Sequence, residues 1–308
     1  PGRYALERLG RLGIPLVFGM LVIVPPQVYT ERLAAGAFQG SYWEFLAGPA
    51  FSGVYPEGNI SWHHLWFLPY LLLFSLVLAR PFRRLRDRPG RLVGWVRRRL
   101  QSPWGWLVFI LPLYIYEALM EPFFNVTHAL IGDWFALANF GTLFFFGFLL
   151  TAAGKDFWDF AIRYRGRNLL IGILSFAALL VLWQFPDTAL RHFTEAGLKV
   201  LNLWTWIFIL FGYAGVYLNR PSNLLRYCNR AVYPFYILHQ TLTVGIAYFL
   251  MDTNLGLPAE FGILSLGTFG GSLLIYHFLI RPLRVLHPLF GLKARKPGKE
   301  PAGRLVSE

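Results

Sequence analysis

Residues Phe135–Ala153 read FALANFGTLFFFGFLLTAA, nineteen consecutive positions without a charged side chain. The hydrocarbon core of a bilayer is about 30 Å thick and takes roughly 20 apolar residues of helix to cross. Asn139, Thr142 and Thr151 are the only side chains in the stretch with strong hydrogen-bonding groups, so it is a transmembrane helix. Working outward in both directions, seven further stretches qualify, at 12–29, 62–79, 103–119, 169–186, 200–218, 231–250 and 261–280. Pro15, Pro69, Pro112 and Pro234 fall inside them, and spanning helices tolerate proline where neighbours satisfy the freed backbone groups. Trp62, Trp66, Trp104, Trp106, Trp134, Trp183 and Trp204 gather near the ends, as belts at headgroup depth do. The fold class is therefore all-α, a multipass transmembrane bundle of about eight helices.

Composition agrees. Of 308 residues, 56% are hydrophobic and 15% charged, against about 25% charged in soluble domains, and mean hydropathy is +0.46. That excludes a soluble enzyme and the disordered and fibrous classes. The lone Cys228 rules out a disulfide framework or a cysteine-rich metal site.

The net charge of +13 is best explained by topology. Segments 1–11, 80–102, 154–168, 219–230 and 281–308 hold 26 of the 29 basic residues. The alternate loops hold only Arg32, Arg191 and Lys199. Positive charge collects on the cytoplasmic side, so both ends of the chain are expected there. The nine arginines from Arg80 to Arg99 are first a topology determinant, with a lipid-phosphate or nucleotide role left open, and nucleic acid is not an expected partner. The tail from Lys293 to Glu308 is polar and rich in Lys, Pro and Gly, the composition of a disordered cytoplasmic segment. Residues 1–292 make one membrane domain.

Ionisable groups in spanning helices are costly and mark function by default. Arg8 and Arg11 lie three apart at the cytoplasmic rim of the first span. They make either an anchor or a two-pronged fork for a phosphate. His63 and His64 stand at the outer end of the second span. Glu117 and Glu121, four apart near the outer end of the third, suit either acid–base work or simple solvation. His239 is at mid-depth in the seventh span, followed by Gln240 and Thr241. It needs a hydrogen-bond partner or a wet cavity, so a helix–helix bond and a substrate contact both remain open. No metal-ligand spacing, zincin, P-loop, G-x-S-x-G or Rossmann signature is present, so neither a metal nor a resident cofactor is expected.

Four blocks occur in order: Arg8-x-x-Arg11 before Ile14-Pro15; His64-Leu65-Trp66-Phe67-Leu68; Tyr233-Pro234-Phe235-Tyr236-Ile237-Leu238-His239-Gln240; and Ile280-Arg281-Pro282-Leu283-Arg284 running into Leu289-Phe290-Gly291-Leu292-Lys293. Together with the topology they resemble membrane-bound acyltransferase family 3, nearest the glucan biosynthesis protein C-like (glucan succinyltransferase) branch. The resemblance implies a bacterial inner-membrane O-acyltransferase. It would carry an acetyl or succinyl group from cytoplasmic acyl-CoA, a co-substrate, to a hydroxyl of an envelope glucan or other carbohydrate. Arg8 and Arg11 match the family's R-x-x-R motif, implicated in holding the phosphates of CoA. His64, His239 and Glu117 are candidates for supporting roles.

The family's core is usually ten helices, with its catalytic histidine on the first. Eight are found here, and the chain opens on Pro1. The expectation is a copy lacking two N-terminal helices, inactive by itself although its full-length parent is active. The reading from another class is a multipass carbohydrate transporter or exporter; its paired broken helices and internal repeats are not evident.

Overall fold

The structure, a computed structural model, describes residues 2–292. Among the described residues it is helical with no strand, as the apolar runs require when no water is at hand to bond a free backbone. Every expected span falls on a helix. Those meeting the length and composition of a crossing are α1 (Gly2–Ala34), α7 (Trp134–Ala153), α9 (Arg165–Leu182), α10 (Ala189–Tyr217) and α12 (Leu257–Ile280). A sixth is a pair, α3 (His63–Val77) and α4 (Ala79–Asp87), bent by 53°. The third expected span is the shorter apolar helix α6 (Gly105–Leu119), and the seventh lies within the 28-residue helix α11 (Asn223–Leu250). Shorter helices complete the set: α2 (Tyr42–Ala47), α5 (Arg91–Gln101) and α8 (Lys155–Arg163). The expected tail at 293–308 lies outside the described residues.

α1 is not a regular helix. It contains two π-helical turns, Leu9–Gly13 and Gly19–Ile23, and α12 ends in a third, Tyr276–Ile280. The residue closing each turn, Ile14, Val24 or Arg281, directly precedes a proline. Proline has no N–H, and its ring crowds the carbonyl four residues back. Widening the turn to i→i+5 bonding makes room for it.

The contacts divide the described residues into two compact units, 2–72 with 221–292 and 73–220. In the first, α1 packs along α11 and α11 along α12. Tyr233 bonds to Arg11, and Thr241 to Ile23, so position numbers rise together and α1 and α11 run parallel. The alternation of charged and uncharged loops demands this of two spans that both leave the basic side. Leu12, Val28, Phe45, Leu65, Ile237 and Ile280 lie at the heart of this core.

The second unit is centred on aromatic rings. Trp204 stacks on Phe208 at 5.7 Å, and Trp106 meets Phe208 edge-on at 5.5 Å. α10 starts above its apolar run because Thr188 caps it, accepting from the Arg191 N–H. Its Gly212 is needed for close approach, since a Cβ there would collide with the Ala161 carbonyl oxygen of α8.

Candidate functional site

The site of the first unit grows out of the broken geometry of α1. In an unbroken helix the Gln27 N–H would bond to the Ile23 carbonyl. Past Pro25 it bonds instead to Val24 O at 2.8 Å, which orphans the Ile23 carbonyl inside an apolar core. A buried carbonyl must be satisfied, and Thr241 of α11 donates its hydroxyl to it at 2.7 Å. The Gln27 side chain, only 1% exposed, completes the arrangement. Its Nε2 donates to Thr241 Oγ1 at 2.6 Å, lies 3.4 Å from Ile23 O, and faces His64 Nδ1 at 3.4 Å. The adjacent Ile23 carbonyl fixes which way the amide points.

His64 is held at both ring nitrogens. Nε2 is 3.0 Å from the Ile237 carbonyl, which can only accept, so Nε2 carries the proton and Nδ1 is the lone pair facing the Gln27 amide. Tyr236 donates its hydroxyl to the backbone carbonyl of His64 at 2.7 Å. His239 stands edge-on to His64 with ring centroids 5.3 Å apart, and parallel to Phe235 at 5.9 Å. Its Nδ1 donates to the Tyr236 carbonyl at 2.7 Å. Nε2 is therefore a lone pair, and no group of the described chain occupies it. One further valence stands unfilled: Gln27 Oε1 is buried without a partner. Two histidines expected from sequence are thus brought together. His64 is locked by its bonds, whereas His239 is left with a nitrogen able to accept a proton.

Arg8 and Arg11 lie at the other end of α1, Arg8 just before its first π turn and Arg11 within it. The wider turn splays them further apart around the helix than α-helical spacing would. Arg8 lies 4.9 Å over the Tyr4 ring, and its Nε is buried without a hydrogen-bond partner. Arg11 is fixed through its backbone, whose carbonyl accepts the Tyr233 hydroxyl at 3.0 Å. Tyr233 in turn fills the space beside Gly291, whose φ of 63° is left-handed; a Cβ there would collide with the Tyr233 ring.

Glu117 belongs to the second unit. Lys199 Nζ is 3.1 Å from Glu117 Oε1 and 3.1 Å from Glu195 Oε1, and Arg191 extends the chain of charges to Glu195 at 3.8 Å. His192 Nε2 reaches the Ala118 carbonyl at 2.8 Å. These bonds tie α6 to α10, a structural use of the carboxylate. Among the described residues, no group of three or more His, Cys, Asp or Glu side chains is placed to hold a metal.

Sequence reasoning missed Gln27 and Thr241. Neither is ionisable, so a search for charged groups in spans passes over them. The signal was the pair Pro25-Pro26, which breaks the helical bonding around it and leaves carbonyls that call for a polar side chain from elsewhere.

No curated protein and no solved structure matches the chain. A family model described as an acyltransferase domain matches residues 2–277, nearly the whole described chain and the first three of the four sequence blocks. The protein is a membrane acyltransferase, a member of acyltransferase family 3.

Proposed function

We propose that the protein moves an acyl group, acetyl or succinyl, from a cytoplasmic acyl-CoA to a hydroxyl of an envelope glucan or other carbohydrate, in a bacterial inner membrane with both ends of this chain in the cytoplasm. The observation that carries this reading is that one helix, α1, bears both the arginine pair and the anchor of the histidine site. From Arg11 to Gln27 is sixteen residues, about 24 Å at 1.5 Å per residue. Phosphates held at Arg8 and Arg11 leave the flexible pantetheine arm of CoA to bring the thioester along the helix toward His239. The unfilled Gln27 Oε1 suits a donor, such as a sugar hydroxyl. His239 Nε2 is the group to take that hydroxyl's proton as it attacks. His64, locked by Gln27 and Ile237, positions the ring of His239 beside it. The histidines and Gln27 orient the acceptor, and the arginines orient the donor.

The test uses the full-length protein in nanodiscs with radiolabelled acetyl-CoA and succinyl-CoA and an oligoglucan acceptor. Alkali-labile label on the glucan is expected. Arg8→Ala or Arg11→Ala each removes charged hydrogen bonds worth about 1.5–3 kcal/mol, raising KM for acyl-CoA roughly ten- to a hundredfold with kcat little changed. Label on no carbohydrate, with unmodified glucan crossing the bilayer of proteoliposomes, would replace this reading with an exporter.

A further inference from the structure

One turn beyond Gln27 on α1 is Glu31, and next to His64 in sequence is His63. Where Gln27 meets His64, Glu31 meets His63: Glu31 Oε2 is 3.4 Å from His63 Nε2. The carboxylate is itself held, because Tyr55 donates its hydroxyl to Glu31 Oε1 at 2.8 Å and sets its ring edge-on to His63 at 4.9 Å. On the other side of the imidazole, Nδ1 is 2.6 Å from Ser61 Oγ. The carboxylate can only accept, so it takes the Nε2 proton. That leaves Nδ1 as a lone pair facing the Ser61 hydroxyl, which donates to it.

The order hydroxyl, imidazole, carboxylate is that of an activated nucleophile, recognised by geometry and roles. Ser61 Oγ also accepts the His63 backbone N–H at 3.0 Å. That bond by itself is an ordinary serine turn. A turn does not need the imidazole lone pair at 2.6 Å from the same oxygen, nor a carboxylate behind the ring. His63 also has φ of 39°, a left-handed backbone uncommon for any residue but glycine and a feature that clusters at active sites. The His63 side chain is 15% exposed and Glu31 40%, with Ser61 half-buried, so the set is screened and still reachable.

We propose that Ser61, His63 and Glu31 form a nucleophilic relay that carries an acyl group as an ester on Ser61 Oγ. In the first half, His63 Nδ1 takes the hydroxyl proton as Oγ bonds to the carbonyl carbon of an acyl thioester. The C–S bond breaks, and the leaving thiolate receives the proton from His63. In the second half, with His63 rather than His239 as the base on this route, a sugar hydroxyl gives its proton to His63 Nδ1 and attacks the ester; the bond to Ser61 Oγ breaks, and Oγ takes that proton back from His63. Glu31 is the positioning residue, holding the ring by its Nε2–H. The donor and acceptor named here rest on the function proposed above; the nucleophilicity of Ser61 does not.

The full-length protein in detergent is treated with a fluorophosphonate probe, and adducts are mapped by mass spectrometry. A single adduct on Ser61 is expected, absent in Ser61→Ala. His63→Gln should slow labelling at least a hundredfold, the scale of a lost general base. Glu31→Gln should slow it about tenfold and Glu31→Asp restore most of the rate, with size-exclusion profiles unchanged throughout. Ser52, a serine of the same loop whose hydroxyl donates to the Pro49 carbonyl, is the internal standard. Labelling of Ser61 no faster than Ser52, or unaffected by His63→Gln, overturns the relay. If Ser61 is unreactive while Ser61→Ala still acylates glucan from acyl-CoA, the relay fails and the function above stands. If Ser61 labels with the expected dependence but no acyl group reaches glucan, the relay stands and that function fails.

Discussion

Gln27 offers a sharp test of the polar set, because two substitutions of nearly its size should part company. Gln27→Leu removes the 2.6 Å bond to Thr241, worth about 1 kcal/mol net. It also leaves His64 Nδ1 without its donor, a buried acceptor whose cost is about 1–3 kcal/mol. Against this, the substitution removes Gln27 Oε1, an acceptor already buried and unpartnered, whose penalty is on the same scale. Thr241 keeps Ile23 O for its own proton. The terms largely cancel, and a net loss of about 1 kcal/mol is expected. Gln27→Glu differs by one atom and has no such compensation. A buried carboxylate would face the His64 Nδ1 lone pair and the Ile23 carbonyl, and an uncompensated buried charge costs about 3–5 kcal/mol. The two variants should therefore differ by at least about 2 kcal/mol, some thirtyfold in the unfolding equilibrium. Tryptophan fluorescence during titration of mixed micelles with sodium dodecyl sulfate reads both. In the acyl-transfer assay Gln27→Leu should lower kcat and spare KM for acyl-CoA, since Gln27 is far along α1 from the arginines. If Gln27→Leu unfolds as readily as Gln27→Glu, or Gln27→Glu matches the parent protein, the hydrogen-bond assignment around His64 is wrong.

Other perturbations follow from single positions. Gly291→Ala forces an unfavourable left-handed φ and drives a Cβ into the Tyr233 ring, so a loss of at least about 2 kcal/mol is expected; full stability in the same titration would show that Tyr233 does not fill this space. Lys199→Met strips Glu117 and Glu195 of a shared cation, costing about 1 kcal/mol at this half-exposed site, and adding Glu117→Gln should recover part of it; a double variant weaker than the single one would refute the pairing. For Tyr55, the hydrogen bond to Glu31, with desolvation adding to it, raises the hydroxyl above its ordinary value of 10.0. The bonded, neutral form stabilises the outer loop below that pH, and the contribution is lost as pH rises through the raised value. The difference between ultraviolet titrations of the parent and Tyr55→Phe should have its midpoint above 10; a midpoint at or below 10 would refute the contact.

How far the sequence reached can be judged element by element. The spans were visible because bilayer thickness sets a length and hydrocarbon sets a composition, and eight apolar runs meet both. The ends were less visible. α10 begins at Ala189 and α11 at Asn223, a turn or more before their apolar runs, because Thr188 and Ser222 cap them with side chains accepting from Arg191 and Leu225. The helix persists there on capping and local bonding, which a hydropathy window does not weigh. Of the site, His239 stood out as an expensive group at depth, and His64, at the outer end of its span, through the block it shares with the resembled family. Glu117 left acid–base work and simple solvation both open, and its ion pair with Lys199, 82 positions away, could not be seen from spacing along the chain.

The prolines are the deeper lesson: Pro15 was readable only as a tolerated exception, Pro25 drew no reading of its own, and both prove to be causes. Pro25 and Pro26 break the bonding of α1, Gln27 N–H steps to the Val24 carbonyl, and the orphaned Ile23 carbonyl draws Thr241 across from α11. Gln27 and Glu31, one turn apart on the same helix, then meet His64 and His63. Pro15, by the same mechanism, sits after the π turn that splays Arg8 from Arg11. A regular α1 would satisfy Ile23 from within and leave Thr241 no partner there. Replacing Pro25 by alanine should thus let Gln27 N–H return to Ile23 O, stabilising α1 itself while displacing the Thr241 hydroxyl and loosening His64. A Pro25→Ala protein with higher resistance to unfolding and lower acyl transfer would show that the break is kept for the site. Equal or higher activity would show that the break serves only the path of the chain.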